Sequence, residues 1–338
     1  VFLTGFFILV ALMVGCESPA PQAIALNGQT MGTSYHIKVI GDELPSQDGL
    51  KKEVDELLVG VNKVFSTYLK SSEVSRLNAS KSDDWQHVSE AFVNLTGDAL
   101  ELSRITGGAY DVTVGPLVNL WGFGPSFSED HIPDDTEIQH ALSQMGYRNI
   151  VLDVDAKKIR KLNSNIYIDF SSIAKGYGVD QVAKLIESKG FHDYMVEIGG
   201  EMRVSGVNSE QSKWRIAVEK PDATTRAIQR VIQLSNTAIA TSGDYRNFFV
   251  KDGQRFSHTL DPVTGRPVNH ALASVTVLAP SSALADAWAT ALMVLGEKKG
   301  YDLAMENNLA VLFLVKEGAG VKEVMTPYFQ KLIEEHSS

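Results

Sequence analysis

Cysteine occurs once in the 338-residue chain, at Cys16, so no intrachain disulfide can brace the fold, even in an oxidising compartment. No zinc-ligand cluster of cysteine and histidine is present either. Basic residues are also scarce. Lysine and arginine number 31 against 41 acidic residues, a formal charge of -10, and no Lys/Arg block stands out. The densest basic cluster, Lys157 to Lys161, alternates with apolar residues as a strand does. Such a chain is a poor nucleic-acid binder, because that binding rests on neutralising phosphates. An anionic ligand can still be held by a local cation or by backbone amides. Long apolar runs are missing except at the start: Val1 to Gly15 carries no charge, yet it is too short for a comfortable membrane span.

That opening run reads as the hydrophobic part of a secretion signal. Leu12-Met13-Val14-Gly15-Cys16 resembles a bacterial lipobox, in which Cys16 is lipidated and becomes the mature N-terminus, although no basic segment precedes the apolar run. The sequence therefore divides into a signal segment (1–15), a lipidated tether (16–27) and a folded body (28–338), built as one unit or as two intimate subdomains. With 44 % hydrophobic and 21 % charged residues, the body has ample material for a large core.

Periodicity predicts helices over Asp48 to Phe65, Ala91 to Ile105, Asp134 to Met145, Ser172 to Lys189, a run around Asp286, and Pro327 to Glu335. Gly146 reads as the C-cap of the third helix. Strands are expected at Thr33 to Ile40, Ile150 to Leu152, Lys157 to Leu162, Tyr194 to Ile198, Met202 to Ser205, Trp214 to Val218, Val231 to Leu234, Ser274 to Ala279 and Leu309 to Val315. Hairpins mixed with helices favour an α+β fold over regular βαβ repetition.

The segment richest in chemical meaning is Ala283 to Met293. Asp286 and Thr290 stand four residues apart, so a carboxylate and a hydroxyl share one face of a helix that otherwise reads as buried. A buried carboxylate needs a cation, a donor or a proton. Two oxygens on a rigid helix suit a hard divalent ion such as Mg²⁺, and a salt-bridged aspartate on an ordinary helix is the simpler alternative. Ala109 to Gly124 combines glycines, aromatics and Asp111, a composition that either approaches and stacks on a flat ligand or fills a core. Asp169 to Asp180 places small residues and Lys175 at a helix start, where free amides can receive phosphate, or where Ser172 merely caps the helix. It is neither a P-loop nor a dinucleotide fingerprint. Thr241 to Arg246 is a further polar island, and Asp261-Pro262 followed by Thr264-Gly265 reads as a tight turn holding His258 at a strand end.

Together these segments resemble the FAD:protein FMN transferases of the ApbE family. The likeness rests on Met31-Gly32-Thr33, Tyr68, Ser72 to Asn78, Gly108 to Asp111, Asp169 to Asp180, Gly199-Gly200-Glu201, Thr241 to Tyr245, His258 to Gly265 and Asp286 to Thr290, in that order. It implies an ApbE-like α+β fold, with a part resembling the tunnelling-fold domains and mixed or antiparallel sheets packed with helices. It implies one FAD bound as substrate by Met31, Tyr68, Ala109, Tyr110, Asp111, Asp169, Lys175 and Leu260. It implies Mg²⁺ held by Ser172, through its backbone carbonyl, and by Asp286 and Thr290. Such enzymes attach FMN to a threonine in flavoprotein subunits of Na⁺-pumping NADH:quinone reductase or Rnf-type complexes. His258 is then the candidate base or pyrophosphate organiser and Asp244 its helper. FAD hydrolysis to FMN and AMP, or FAD binding without turnover, are the competing expectations. The anchor implies the periplasmic side of the inner membrane, and Glu17 keeps outer-membrane placement open.

Overall fold

The structure is a computed structural model that describes residues 22–124, 132–221, 227–244, 248–251, 253–318 and 320–337. Cys16, the segment before it, and Tyr245 and Arg246 lie outside the described residues.

In chain order, a first hairpin joins β1 (Gln22–Thr30) and β2 (Thr33–Gly41) through Met31-Gly32. Both turn residues have positive φ, 49° and 74°, the pattern of a tight two-residue hairpin. A mainly helical stretch follows: α1 (Gln47–Phe65), α2 (Glu73–Ala79), β3 (Gln86–His87), α3 (Glu90–Ile105), α4 (Gly115–Leu120), α5 (Asp135–Ser143), β4 (Ile150–Asp153), β5 (Lys158–Lys161) and α6 (Ala174–Ser188). The chain then becomes strand-rich, with β6 (Asp193–Ile198), β7 (Glu201–Ser205), β8 (Trp214–Glu219), β9 (Ile228–Leu234) and β10 (Thr237–Gly243). Short strands β11 (Phe248–Lys251), β12 (Gln254–Ser257), β13 (Leu260–Asp261) and β14 (Arg266–Pro267) precede β15 (Leu272–Ala279). Helix α7 (Ser282–Glu306), β16 (Ala310–Glu317), β17 (Gly320–Met325) and α8 (Pro327–Ser337) complete it.

Eight strands form the main sheet in the order β1-β2-β6-β7-β10-β15-β16-β17, antiparallel at each junction. Strand alternation gives it two apolar faces. Tyr35, Ile37, Val39, Val196 and Ile198 pack against Val54 of α1 and Val179 and Val182 of α6. Farther across that face, Val275, Val277, Val311 and Phe313 meet Ala287, Ala291 and Leu292 of α7. The intervening residues Val204, Ile239, Leu278, Leu312 and Leu314 face the other way, beneath the β8–β9 hairpin and Phe329 of α8. A satellite cluster under α4 and α5 joins Leu117, Trp121 and Ile138 to Phe256 and Leu260.

Three local expectations change. Residues 22–27, expected as tether, belong to β1 and complete the sheet edge. Ser172 does not cap α6: Ile173 occupies that position without a side-chain bond, and the Gly176 amide goes to Asp286 instead. Gly146 follows α5 by more than one residue and opens the short 3₁₀ turn Tyr147–Asn149, while Gln144 is the C-cap.

Candidate active site

A cavity of about 840 Å³ lies where the N-terminal parts of α6 and α7 meet the sheet and the α4–α5 lobe. Its wall includes Ala109, Tyr110, Asp111, Ser172, Lys175, His258, Leu260, Asp286 and Thr290. Sequence segments more than 150 residues apart along the chain thus converge on one space.

The centre of the site is a buried charge cluster. Asp286, 4 % exposed, sits in the first half of α7; its Oδ2 accepts the Gly176 amide at 3.2 Å, and its Oδ1 lies 4.0 Å from Lys175 Nζ. Burial raises the Asp286 carboxyl above the usual range, against the pull of the Lys175 ammonium and the Gly176 amide. Lys175 Nζ bonds Glu201 Oε1 at 2.7 Å. Burial alone would lower Lys175, but the Asp286 and Glu201 charges prevail and hold it up at about 12, so it is a fixed cation. Burial also pushes Glu201 up, Asp286 adds to the rise, and Lys175 opposes it. Two acids thus share one cation, and Glu201 Oε2 is buried with no hydrogen-bond partner. An additional cation would relieve that imbalance.

One turn along α7, Thr290 Oγ1 stands 3.4 Å from Ser242 Oγ. Ser172 Oγ donates to Tyr110 Oη at 3.0 Å, leaving the Ser172 carbonyl a separate oxygen. A carboxylate, a hydroxyl and a carbonyl are hard oxygens of the kind Mg²⁺ takes, so the residue types present on this wall fit that ion. Among the described residues no group of three or more His, Cys, Asp or Glu side chains is placed to hold a metal ion.

Asp111 is buried and already engaged: Oδ1 accepts the Thr113 amide and hydroxyl at 2.8 and 2.7 Å, and Oδ2 accepts the Tyr147 amide at 2.9 Å. It shapes the wall as much as it faces the cavity. Within the 109–124 segment the aromatics fill a core: the Trp121 ring lies 5.7 Å from Phe256 and Phe123 lies 5.6 Å from Phe249. The Trp121 indole also donates to the Gly265 carbonyl at 2.9 Å, fixing the tight turn after His258. In that turn Asp261 accepts the Val263 amide and Thr264 hydroxyl at 2.8 and 3.0 Å. His258 itself meets the Phe123 ring edge-on at 6.3 Å and faces the cavity.

Four expected site residues lie off the wall. Met31 packs its side chain against Gly178 of α6, bridging two core clusters. Tyr68 is 71 % exposed between α1 and α2. Asp169 is buried and accepts the Ser171 amide at 2.8 Å, forming the bend that delivers Ser171 and Ser172 to the cavity. Asp244 Oδ2 is paired with both Arg255 and Lys316 at 2.7 Å, while its buried Oδ1 has no hydrogen-bond partner. A further part of the wall, His36, Met195, Glu197, Met202 and 216–219, was not expected from sequence. His36 and Glu197 alternate with buried residues along their strands and look like ordinary solvent-facing positions, so no local signal marked them.

Comparison with known proteins settles the family. The ApbE family model matches residues 31–313. The chain belongs to the ApbE family. It is 46 % identical over 323 residues to an FAD:protein FMN transferase of Vibrio cholerae, covering 95 % of this chain and 96 % of the relative. It is 42 % identical over 333 residues to the Haemophilus influenzae FAD:protein FMN transferase, with 97 % and 96 % covered. The solved flavin transferase ApbE from Vibrio cholerae superposes with a TM-score of 0.86 at 44 % identity, over 92 % of this chain and 99 % of that one. The apo Pseudomonas stutzeri flavinyl transferase ApbE gives 0.86 at 38 % identity, over 93 % and 97 %. The α+β architecture described above is therefore the ApbE fold.

Proposed function

We propose that this chain transfers the FMN half of FAD to a threonine hydroxyl of an acceptor protein. The supporting observation is the convergence of Ser172, Lys175, His258, Asp286 and Thr290 on a single cavity, in a member of a family whose relatives are named FAD:protein FMN transferases. The threonine oxygen forms a bond to the FMN-side phosphorus of FAD. The anhydride bond at that phosphorus breaks, and AMP leaves with the bridging oxygen. The threonine proton passes to His258, whose imidazole faces the same space. Lys175 does not accept it: clamped by Glu201 and kept cationic, it attracts and steadies the diphosphate.

Ser172, Asp286 and Thr290 would hold Mg²⁺, which when bound offsets phosphate charge and stabilises the departing phosphate. The acceptors this reading favours are threonine-bearing flavoprotein subunits of Na⁺-pumping NADH:quinone reductase or Rnf-type complexes. Cys16 would carry the lipid that keeps the enzyme at the periplasmic side of the inner membrane. Among the described residues no helix is long and apolar enough to cross a membrane. Intact mass of the membrane-extracted protein and sucrose-gradient fractionation test both points; an unmodified Cys16, or enrichment in outer membrane, would count against them.

Incubation of FAD, Mg²⁺ and such an acceptor should add the mass of FMN, less water, to the acceptor and release AMP. Free FMN with AMP would mean hydrolysis, and unchanged FAD would mean binding alone. Asp286→Ala should lower transfer by about 10³-fold or more at fixed Mg²⁺, the scale of losing a metal that neutralises a phosphoryl transition state. Undiminished transfer by that variant, folded by circular dichroism, would refute the metal assignment.

A further inference from the structure

A transferase that modifies a protein must admit polypeptide as well as nucleotide, and part of the cavity wall is a run of consecutive strand residues. Ile216, Ala217, Val218 and Glu219 all line the cavity, although Ile216 and Val218 are buried while Ala217 is exposed. Consecutive residues with opposite side-chain directions share a wall only when the strand presents its edge. The direction of that edge follows from hydrogen bonding. Lys220, just beyond β8, donates its amide to the Ala227 carbonyl at 2.8 Å. The irregularity between Val218 and Glu219 adds its extra residue, Gln229, to β9, so alternation along β8 is unbroken. Val218 and Ile216 therefore turn their amides toward β9, while Arg215 and Ala217 turn theirs away. Among the described residues, β8 pairs with β9 alone, and no backbone hydrogen bond leaves Arg215 or Ala217 on the other side.

The hairpin is fixed in place. The Trp214 indole donates to the Ser205 carbonyl at 2.8 Å, and Arg230 and Gln229 of β9 bond Glu323 of β17 at 2.8 and 2.7 Å. That leaves β9 tied toward β17 and the free edge of β8 facing the cavity. Beside it, Met195 and Met202 give the wall a deformable apolar surface.

We infer that the acceptor's threonine-bearing segment binds as an extended strand added to the free edge of β8, pairing with Arg215 and Ala217 beside the cavity that holds FAD. This rests on the transferase reading above and names how its second substrate is held. Main-chain pairing supplies affinity independent of most side chains, and the alternating pockets of the wall select the register.

Two measurements test it on the full chain. In the first, the enzyme is saturated with acceptor whose threonine is replaced by valine, and amide exchange is followed by mass spectrometry. Exchange in the peptide spanning Trp214 to Val218 should slow about tenfold or more, as expected for newly paired strand amides. Unchanged exchange there, with protection elsewhere showing that acceptor is bound, would overturn the inference. In the second, Ala217→Pro removes an outward amide, a change an edge strand accommodates. The KM for acceptor should rise about tenfold or more while kcat at saturating acceptor stays within about threefold. A KM within twofold of the parent in a folded variant would overturn it; if the variant does not fold, the exchange measurement decides. Absence of transfer by the parent enzyme would overturn the transferase reading and this inference with it, whereas parental transfer that ignores the β8 edge overturns the inference alone.

Discussion

At the scale of single residues, the fold depends on charged groups placed where apolar ones would be expected. Lys161 is fully buried at the end of β5, and its Nζ donates to the carbonyls of Leu77, Ser80 and Ser164 at 3.0, 2.7 and 3.2 Å. Leu77 and Ser80 end α2, where carbonyls lack helical partners and a cation is favourable. The segment after Lys161 runs on to Asp169 and the cavity wall, so this lysine holds the scaffold of the site. Lys161→Met keeps the length but leaves those carbonyls unsatisfied; it should destabilise the protein by about 2–4 kcal/mol in urea unfolding. A pH signature accompanies it. Burial, with Lys81 nearby, pushes Lys161 down to about 8 from 10.5. Between those values the unfolded chain keeps a proton that the folded chain has lost, so this group makes stability rise with pH. Below about 8 both states are protonated and the slope vanishes. The advantage of the parent over Lys161→Met should therefore grow from pH 8 toward 10.5. A constant difference across that window would show that burial does not control this lysine.

Between elements, the decisive contact is the close approach of α6 to α7, which carries Gly176 and Lys175 to Asp286. A Cβ on Gly176 would lie 2.3 Å from the Ser282 carbonyl oxygen and 2.7 Å from Ala283 Cα, both backbone atoms. Asp180, one turn farther along α6, accepts the Ser282 and Ala283 amides at 2.9 Å each and so caps α7 from outside that helix. Gly176→Ala should force the helices apart, costing about 2–3 kcal/mol and weakening FAD binding. Gly60→Ala, on the exposed face of α1 with open space around it, should instead gain about 0.5–1 kcal/mol. Equal costs for the two in thermal unfolding would mean that the helix contact is not tight. These contacts also show what was legible in the sequence. The apolar spacing of Val54, Leu58, Val61 and Phe65 gave α1 within one residue of its observed limits, because one face is buried and the other solvated. The Asp286–Thr290 spacing gave two neighbouring cavity oxygens for the same reason of periodicity. Helix α2, β10 and β17 were missed: α2 is short, β17 is half solvent-facing, and β10, buried on both faces at Thr237 to Ala240, lacks the alternation that marks a strand. The kink of α7 at Gly296, φ 76°, was equally hidden, since it depends on His270 Nε2 reaching the Met293 carbonyl at 2.8 Å from outside the helix. Met31 and Asp244 were legible as members of a motif, but what each touches is set by tertiary packing alone.

For the molecule as a whole, the cavity is where otherwise separate packing units meet. Its wall takes Asp286 and Thr290 from α7, Lys175 from α6, Tyr110 and Asp111 from the segment after α3, and Leu260 from the satellite cluster under α4 and α5. A ligand spanning it ties these units together, and in the wall it meets Asp286 and Glu201 sharing one cation, Lys175. Ligand binding should therefore be visible as global stability. FAD at a hundred times its Kd stabilises the folded state by about 2.7 kcal/mol, which for a chain this large raises Tm by a few degrees. With Ser172, Asp286 and Thr290 as metal ligands, the increment is not additive in the ordinary sense: Mg²⁺ alone should add little, FAD alone should bind weakly against the buried acids, and the two together should raise Tm by more than the sum of the separate shifts. Chelation by EDTA should remove that excess in the parent, and Asp286→Ala should lack it from the start while keeping the part of the FAD shift that Lys175 supports. Scanning calorimetry with FAD, Mg²⁺, both and neither on the two proteins reads this coupling without any acceptor present. Strictly additive shifts in the parent would separate the metal from the nucleotide and leave Asp286 as a salt-bridged structural carboxylate.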